Sequence, residues 1–234
     1  MSEWWTYRLT SFLLFSPRTY YRLLELYNLA IWPAQLAGAT IGLVIILLLI
    51  GRRDHHGRII AGLLAACWLW VAYAFHYHYY AQINWAASWF AAAFAFEALL
   101  LVVVGAVAGR LVLQRARRGT LWIAISLVAI SIGYPLLAPL TGRPWTTAEA
   151  FGVAPDPTAI ASVALLAQVR GPIRWLLLAI PLIWCALAAA TLWAMNKPEG
   201  LIVVVAGLLA LWPTVRGTRH SAPGAIRQDS SNGG

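Results

Sequence analysis

Residues 75–97 read FHYHYYAQINWAASWFAAAFAFE and lie between two long apolar runs. The first half of this stretch carries two histidines, three tyrosines, a glutamine and an asparagine. The second half is apolar up to Glu97. Two apolar runs joined by a short polar turn predict a hairpin of membrane-crossing helices. The aromatic tip of the hairpin is typical of a segment at the membrane–water interface.

The composition of the whole chain also favours a lipid bilayer as its surroundings. Hydrophobic residues make up 61% of the 234 residues and charged residues 11%, where soluble domains have about 45–50% and about 25%. A soluble fold of this length could not bury so much apolar surface. The net charge of +9 comes from arginines grouped between apolar runs, a pattern that sets membrane topology. We therefore expect a lipid bilayer as partner, and no nucleic acid.

Further apolar segments extend the hairpin into an all-α, polytopic membrane helix bundle with about six to seven transmembrane helices. The predicted spans are 31–50, 59–80, 85–109, 120–140, 173–195 and a short one at 200–215. The fourth span should break at Gly133-Tyr134-Pro135. Residues 158–169 are apolar but cover only about 18 Å of a bilayer core of about 30 Å. They are either a re-entrant half-helix or a short span sheltered by neighbours.

Three regions follow from this pattern. Residues 1–32 are an interfacial aromatic segment followed by an amphipathic helix, which should begin at Ser16-Pro17. Residues 33–215 form the bundle, and residues 216–234 are a disordered basic tail. The two cysteines, Cys67 and Cys185, lie inside apolar runs and form no metal motif.

The arginine distribution predicts the orientation of the chain. The loops 51–58, 110–118 and 170–174 and the tail are rich in arginine, whereas the opposite loops hold only Arg143 and Lys197. The positive-inside rule places the first set in the cytoplasm. With seven crossings the N-terminus is outside and the C-terminus inside. The tip of the 75–84 hairpin and the 141–157 loop then share the external side. A re-entrant 158–169 segment would leave six crossings.

Glu97 is the strongest candidate for chemistry, because it lies near the middle of its predicted span. An ionised carboxylate there costs several kcal/mol, so it must face the protein interior, pair, or stay protonated. One interpretation is a proton, cation or substrate site. The alternative is a protonated structural glutamate that is hydrogen-bonded to a neighbouring helix.

His76 and Tyr80 are the second candidates, since their i, i+4 spacing places them on one helix face near the outer end, joined by Tyr73 at i−3. A proton relay fits this pattern. Metal or haem ligation is disfavoured, because His76 and His78 cannot converge from a regular helix. The remaining histidines lie at the cytoplasmic side. We expect neither metal nor cofactor, and Asn84 is a predicted helix cap for the third span.

The external loop supplies a third group of candidates, namely Arg143, Glu149 and Asp156. The sequence APDPT predicts a short helix with Asp156 as its N-cap. A helix N-terminus that points toward the core is how several transporters meet an anion. The alternative is an ordinary capped loop.

Five sequence blocks resemble an uncharacterised family of bacterial polytopic inner-membrane proteins. The blocks are EWWTYRLTSFLLFSPRTYYRLLELYN, FHYHYYAQINWAA, GYPLLAPLTGRPW, FGVAPDPTAIA and ATLWAM, which together cover most of residues 3–195. The resemblance implies an inner-membrane location and supplies no catalytic residues. Some members carry a loose permease label.

These patterns predict an integral membrane protein, with a small-solute or proton-coupled transporter as the leading hypothesis. Glu97 would titrate, with His76 and Tyr80 at the outer mouth. One alternative is an accessory or anchoring subunit that contacts a membrane-protein partner or a second copy. The other is a membrane-embedded enzyme, although no nucleophile–base pair lies at helical spacing. The substrate is unknown from sequence.

Overall fold

The computed structural model describes residues 15–51, 53–113, 118–195, 197, 200–201 and 204–209, and the regular elements among them are all helices, with no strand. Residues 1–14 of the predicted aromatic segment and the tail 216–234 lie outside the described residues, as does half of the predicted span 200–215. The α-helices are α1 (Pro17–Ala30), α2 (Ala34–Gly51), α3 (His56–Trp70), α4 (Ala87–Leu100), α5 (Arg118–Ile132), α6 (Leu137–Leu140), α7 (Pro155–Leu166) and α8 (Ile173–Ala194).

The bundle carries an apolar outer surface. Four helical stretches are long and apolar enough to cross a membrane, namely 34–51, 56–82, 87–107 and 173–194. A bent pair, 119–132 with 134–140, gives up to five. Large apolar side chains such as Leu47, Trp89 and Ile183 are more than half exposed, as expected where lipid is the solvent. The all-helical class is confirmed, whereas six to seven spans stay a prediction.

Helix α1 begins where the sequence predicts it. Ser16 is the N-cap, and its side chain accepts a hydrogen bond from the Thr19 backbone N–H at 3.1 Å. The apolar face is buried by protein rather than left for lipid, and the Tyr27 hydroxyl donates to the Val153 carbonyl at 2.7 Å. Contact of α1 with the membrane interface therefore stays a prediction, while its packing on the bundle is a property of the fold.

Helix α7 is the centre of the bundle, because all twelve of its residues are buried. It packs against α3, α5 and α8. Its first turn lies beside the hairpin tip, where Asp156 and Asn84 line the same cavity. After its last turn the Arg170 N–H donates to the Val112 carbonyl at the opposite end. The segment is therefore a short helix that neighbouring helices shelter, and the choice between a short span and a re-entrant helix stays a prediction.

Two helices continue as π-helices, a feature that the sequence does not predict. Residues Val71–Tyr79 follow α3 and residues Leu101–Val107 follow α4. The i→i+5 hydrogen bonds of a π-helix widen the turn and change which side chains share a face. Tyr73 is consequently 61% exposed and stacks near Tyr77. The prediction that Tyr73 lies with His76 is wrong for this reason.

The break in the fourth span is confirmed. Helix α5 ends at Ile132, a 3₁₀ turn holds Tyr134–Leu136, and the two halves are bent by 51°. Pro135 lacks an N–H and cannot continue the α-helical ladder, which explains the position of the bend. The bend brings the 141–154 loop over the end of α7.

Close helix packing on α3 gives a testable contrast between two glycines. A Cβ added at Gly57 would overlap the Leu111 carbonyl oxygen, whereas one at Gly62 would meet nothing within 4 Å. We expect Gly57→Ala to lower the unfolding free energy by about 1–3 kcal/mol through overpacking. Gly62→Ala should be neutral or stabilise by about 0.5–1 kcal/mol. Thermal unfolding in detergent measures both, and equal melting temperatures would contradict the packing of α3 on residue 111.

Candidate functional site

A cavity of about 210 Å³ opens at the end of the bundle where the hairpin tip meets α1, α7 and α8. Six aromatic side chains line it: Phe15, Tyr20, Phe75, Tyr80, Phe90 and Trp184. Asn84, Asp156 and Thr191 are the polar residues of the lining. At about 30 Å³ per liquid water, the volume suits a small molecule rather than a drug-sized one.

Asp156 is the charged group of the cavity. It is only 4% exposed, and its Oδ1 accepts a hydrogen bond from the Trp184 indole N–H at 2.9 Å. The predicted N-cap role is wrong, since α7 begins one residue earlier at Pro155. Proline suits the first helical position, so the side chain of Asp156 is left for Trp184.

Tyr20 and Glu149 form a second polar pair beside Asp156. The Tyr20 hydroxyl donates to Glu149 Oε1 at 3.1 Å, and both residues are buried. Burial raises the pKa of Tyr20 well above its usual value, and the Glu149 and Asp156 carboxylates add to the rise. Tyr20 therefore stays a neutral donor. Tyr80 faces the same space, with its ring centroid 6.1 Å from that of Tyr20.

His76 lies behind the wall of the cavity and does not line it. Its ring contacts Phe94, Trp184 and Tyr80 at centroid distances of 4.4, 4.9 and 5.9 Å. The side chain is fully buried, and neither ring nitrogen has a hydrogen-bond partner among the described residues. The predicted proximity of His76 and Tyr80 is present, but the His76 ring packs against the Trp184 indole, while Tyr80 lines the cavity.

Glu97 is separate from this cluster. It is fully buried on α4, one turn beyond Phe94, and is not among the cavity residues. Neither carboxylate oxygen has a hydrogen-bond partner within the part of the chain that the structure describes. The alternative prediction, a structural glutamate that is hydrogen-bonded to a neighbouring helix, therefore has no such hydrogen bond among the described residues.

Arg143 lies outside the cavity. Its guanidinium group stands 4.6 Å from the centroid of the Tyr21 ring, and its Nε donates to the Thr141 hydroxyl at 3.2 Å. The structure thus brings together Asp156 and Tyr80, with Glu149 and His76 beside them, from two candidate groups that the sequence kept apart.

Two residues of the cluster were not among the sequence candidates. Trp184 lies 28 residues after Asp156 on another helix, so no local spacing connects them. Tyr20 belongs to the predicted apolar face of α1. The amphipathic pattern predicted that Tyr20 is buried, but it could not predict the hydrogen bond to Glu149. Asn84 was predicted to cap α4, but its side chain instead accepts the Ala86 N–H in a turn before the helix.

The cavity is lined by aromatic rings and a few hydrogen-bonding groups. No group of three or more histidine, cysteine or acidic side chains that could hold a metal occurs among the described residues. Cys67 and Cys185 are buried and unpaired within those ranges. A concave space with aromatic walls and one carboxylate is suited to holding a solute in one orientation.

Removing the indole donor tests the Asp156–Trp184 contact. Trp184→Phe keeps an aromatic ring beside His76 but leaves Asp156 Oδ1 without its donor, which should cost about 1–3 kcal/mol of stability. Trp193→Phe on the same helix is the control, since Trp193 is 62% exposed and its loss should change stability by less than about 0.5 kcal/mol. Thermal unfolding in the same detergent compares them, and an equal loss in both variants would refute the contact.

Comparison with known proteins places the chain in one family. No curated protein and no solved structure matches it. A family model described as "Family of unknown function (DUF6064)" matches residues 18–223, a range that holds α2 to α8, all of α1 except Pro17, and every residue of the cavity lining except Phe15. The chain belongs to this family of unknown function, DUF6064.

Proposed function

We propose that this protein is a small-solute permease of the membrane and that the aromatic cavity is its binding chamber. The observation that carries the proposal is the aromatic-lined cavity of about 210 Å³ into which α7 places Asp156. Within the described ranges no lysine or arginine forms an ion pair with the Asp156 carboxylate. The ion pair found in those ranges joins Arg22 and Glu25 on α1. A buried charge without a counter-charge is costly, and a bound solute is a reason to keep one.

Irregular helices in the bundle support movement as well as binding. The first π-helix ends at the chamber, and elsewhere in the bundle the pair 119–132 with 134–140 is bent. Irregular helices at membrane depth recur where transporters bind substrates, and π-helices recur at functional sites. These features give two elements whose geometry can change without breaking a continuous α-helix.

Glu97 extends the proposal toward proton coupling. It lies deeper in the bundle than the chamber, beyond Phe94, whose ring contacts both His76 and Trp184. No ionisable side chain in the described ranges bonds or pairs with Glu97. A glutamate in that position can take up and release a proton as the chamber fills and empties. The bacterial inner membrane, with the chamber facing outward, is the predicted setting.

Filling the chamber tests the binding role. Ala188 lines the cavity, and Ala190 is exposed on the same helix. We expect Ala188→Phe to abolish solute-induced thermal stabilisation of the purified protein across a panel of small amines, amino acids, sugars and carboxylic acids. Ala190→Phe should leave it unchanged. A panel in which no solute stabilises the unmodified protein would refute the chamber. A stable stoichiometric partner in native mass spectrometry would then favour the accessory-subunit alternative.

Replacing Glu97 tests the coupling. Glu97→Gln removes the titrating proton and keeps the shape, so proteoliposomes should lose the solute-driven pH change that a trapped dye reports. Binding by thermal shift should persist. Glu25→Gln is the matched control, because Glu25 lies on α1 in an exposed pair with Arg22. An unchanged pH response in Glu97→Gln would remove Glu97 from the mechanism and leave the chamber untouched.

A further inference from the structure

We propose that the chamber selects an organic cation, a small amine or quaternary ammonium compound whose charged nitrogen faces Asp156. This inference rests on the proposed function, since it assumes that the cavity is a binding chamber. It goes further by assigning the chemical class of the solute. Three properties of the cavity carry it, namely its charge, its walls and its size.

The charge of the chamber is negative. Asp156 lines it directly, and the Tyr20 hydroxyl, also in the lining, bonds to the buried Glu149 carboxylate. The electrostatic influence of both carboxylates reaches Tyr20. Among the described residues the lining contains no lysine, arginine or histidine. A carboxylate at Asp156 in such a space repels an anionic solute and attracts a cation.

The walls of the chamber are aromatic on several sides. Phe15, Tyr20 and Tyr80 stand edge-to-face or stacked on one another, with centroids 5.7 to 6.1 Å apart. Phe90 and Trp184 meet edge-to-face at 5.4 Å on the other side. Aromatic rings around a carboxylate are the recurring recognition of ammonium groups, because the ring faces attract a cation that has lost its water.

The protein's own cations at this end already engage a ring in the same way. The Arg143 guanidinium lies 4.6 Å and the Lys197 ammonium 5.5 Å from the centroid of the Tyr21 ring. Tyr21 adjoins Tyr20 but does not line the chamber. Arg143 and Lys197 thus lie outside the chamber, and the described residues of its lining include no cation.

The size and the remaining polar groups limit the solute further. A volume of about 210 Å³ admits a compact ammonium compound and excludes long or multi-ring amines. Asn84 and Thr191 add hydrogen-bonding groups to the lining, which suits a hydroxyl on the solute. Choline has the required charge, size and hydroxyl, and serves here as a probe.

The experiment compares choline with 3,3-dimethylbutan-1-ol (dimethylbutanol below), the uncharged isostere in which carbon replaces the charged nitrogen. Equilibrium binding of tritiated choline to the full-length protein in detergent should be saturable, and excess dimethylbutanol should not displace it. Asp156→Asn keeps an acceptor for Trp184 and removes the charge, so it should weaken choline binding at least about tenfold. Asp54→Asn is the matched control, since Asp54 is exposed at the opposite end of the bundle.

A second pair of variants keeps the test decisive if Asp156→Asn does not fold. Tyr80→Leu removes a ring face and should weaken choline binding about fivefold, whereas Tyr80→Phe keeps the face and should bind within about twofold. Equal displacement by dimethylbutanol would overturn the cation assignment and leave the chamber standing. Absence of choline binding to the unmodified protein would also overturn it, and the Ala188→Phe solute panel would then decide separately whether the chamber binds anything.

Discussion

The burial of α7 on every side is the constraint on which the rest of the fold depends. A helix of twelve residues is too short to cross a bilayer core in contact with lipid, so its ends need protein around them. Helices α3, α5 and α8 provide that cover. Ser162 accepts the Trp68 indole N–H at 2.8 Å, and the Thr158 hydroxyl accepts the Gly152 N–H at 2.9 Å. Polar groups on α7 are thereby satisfied inside the bundle, as a non-aqueous interior requires.

The same constraint creates the chamber. Because α7 is short, its N-terminal first turn lies inside the bundle. The space next to that turn is lined by α1, the hairpin tip and the end of α8. Asp156 is carried into that space by the position of Pro155 at the start of the helix. The indole of Trp184 then connects the chamber to the buried layer beneath, since it bonds to Asp156 and contacts His76 and Phe94. The proposed binding site is a consequence of a helix that is too short.

The two π-helices have a comparable role in the hairpin. The first brings Phe75 and His76 to the inner side and turns Tyr73 and Tyr77 outward, and Tyr80 follows in a 3₁₀ turn. A regular α-helix would have kept Tyr73 with His76. The aromatic lining of the chamber therefore depends on a local change from α-helix to π-helix. The spacing of apolar residues does not predict this change, because the two helix types differ in backbone hydrogen bonding.

The sequence alone determined the all-helical class, the Ser16 helix start, the break at Gly133-Tyr134-Pro135 and the short 158–169 helix. These features follow from composition, capping and proline, which act over a few residues. Glu97 was also identified, because a charge inside apolar sequence is conspicuous, and Asp156 was identified from the predicted helix start in APDPT. Only the tertiary structure decided that Asp156 meets Trp184 and that Glu149 meets Tyr20 while Glu97 stays apart. Those pairs join residues 28 and 129 positions apart, and such contacts are set by how helices pack around α7 rather than by any local pattern.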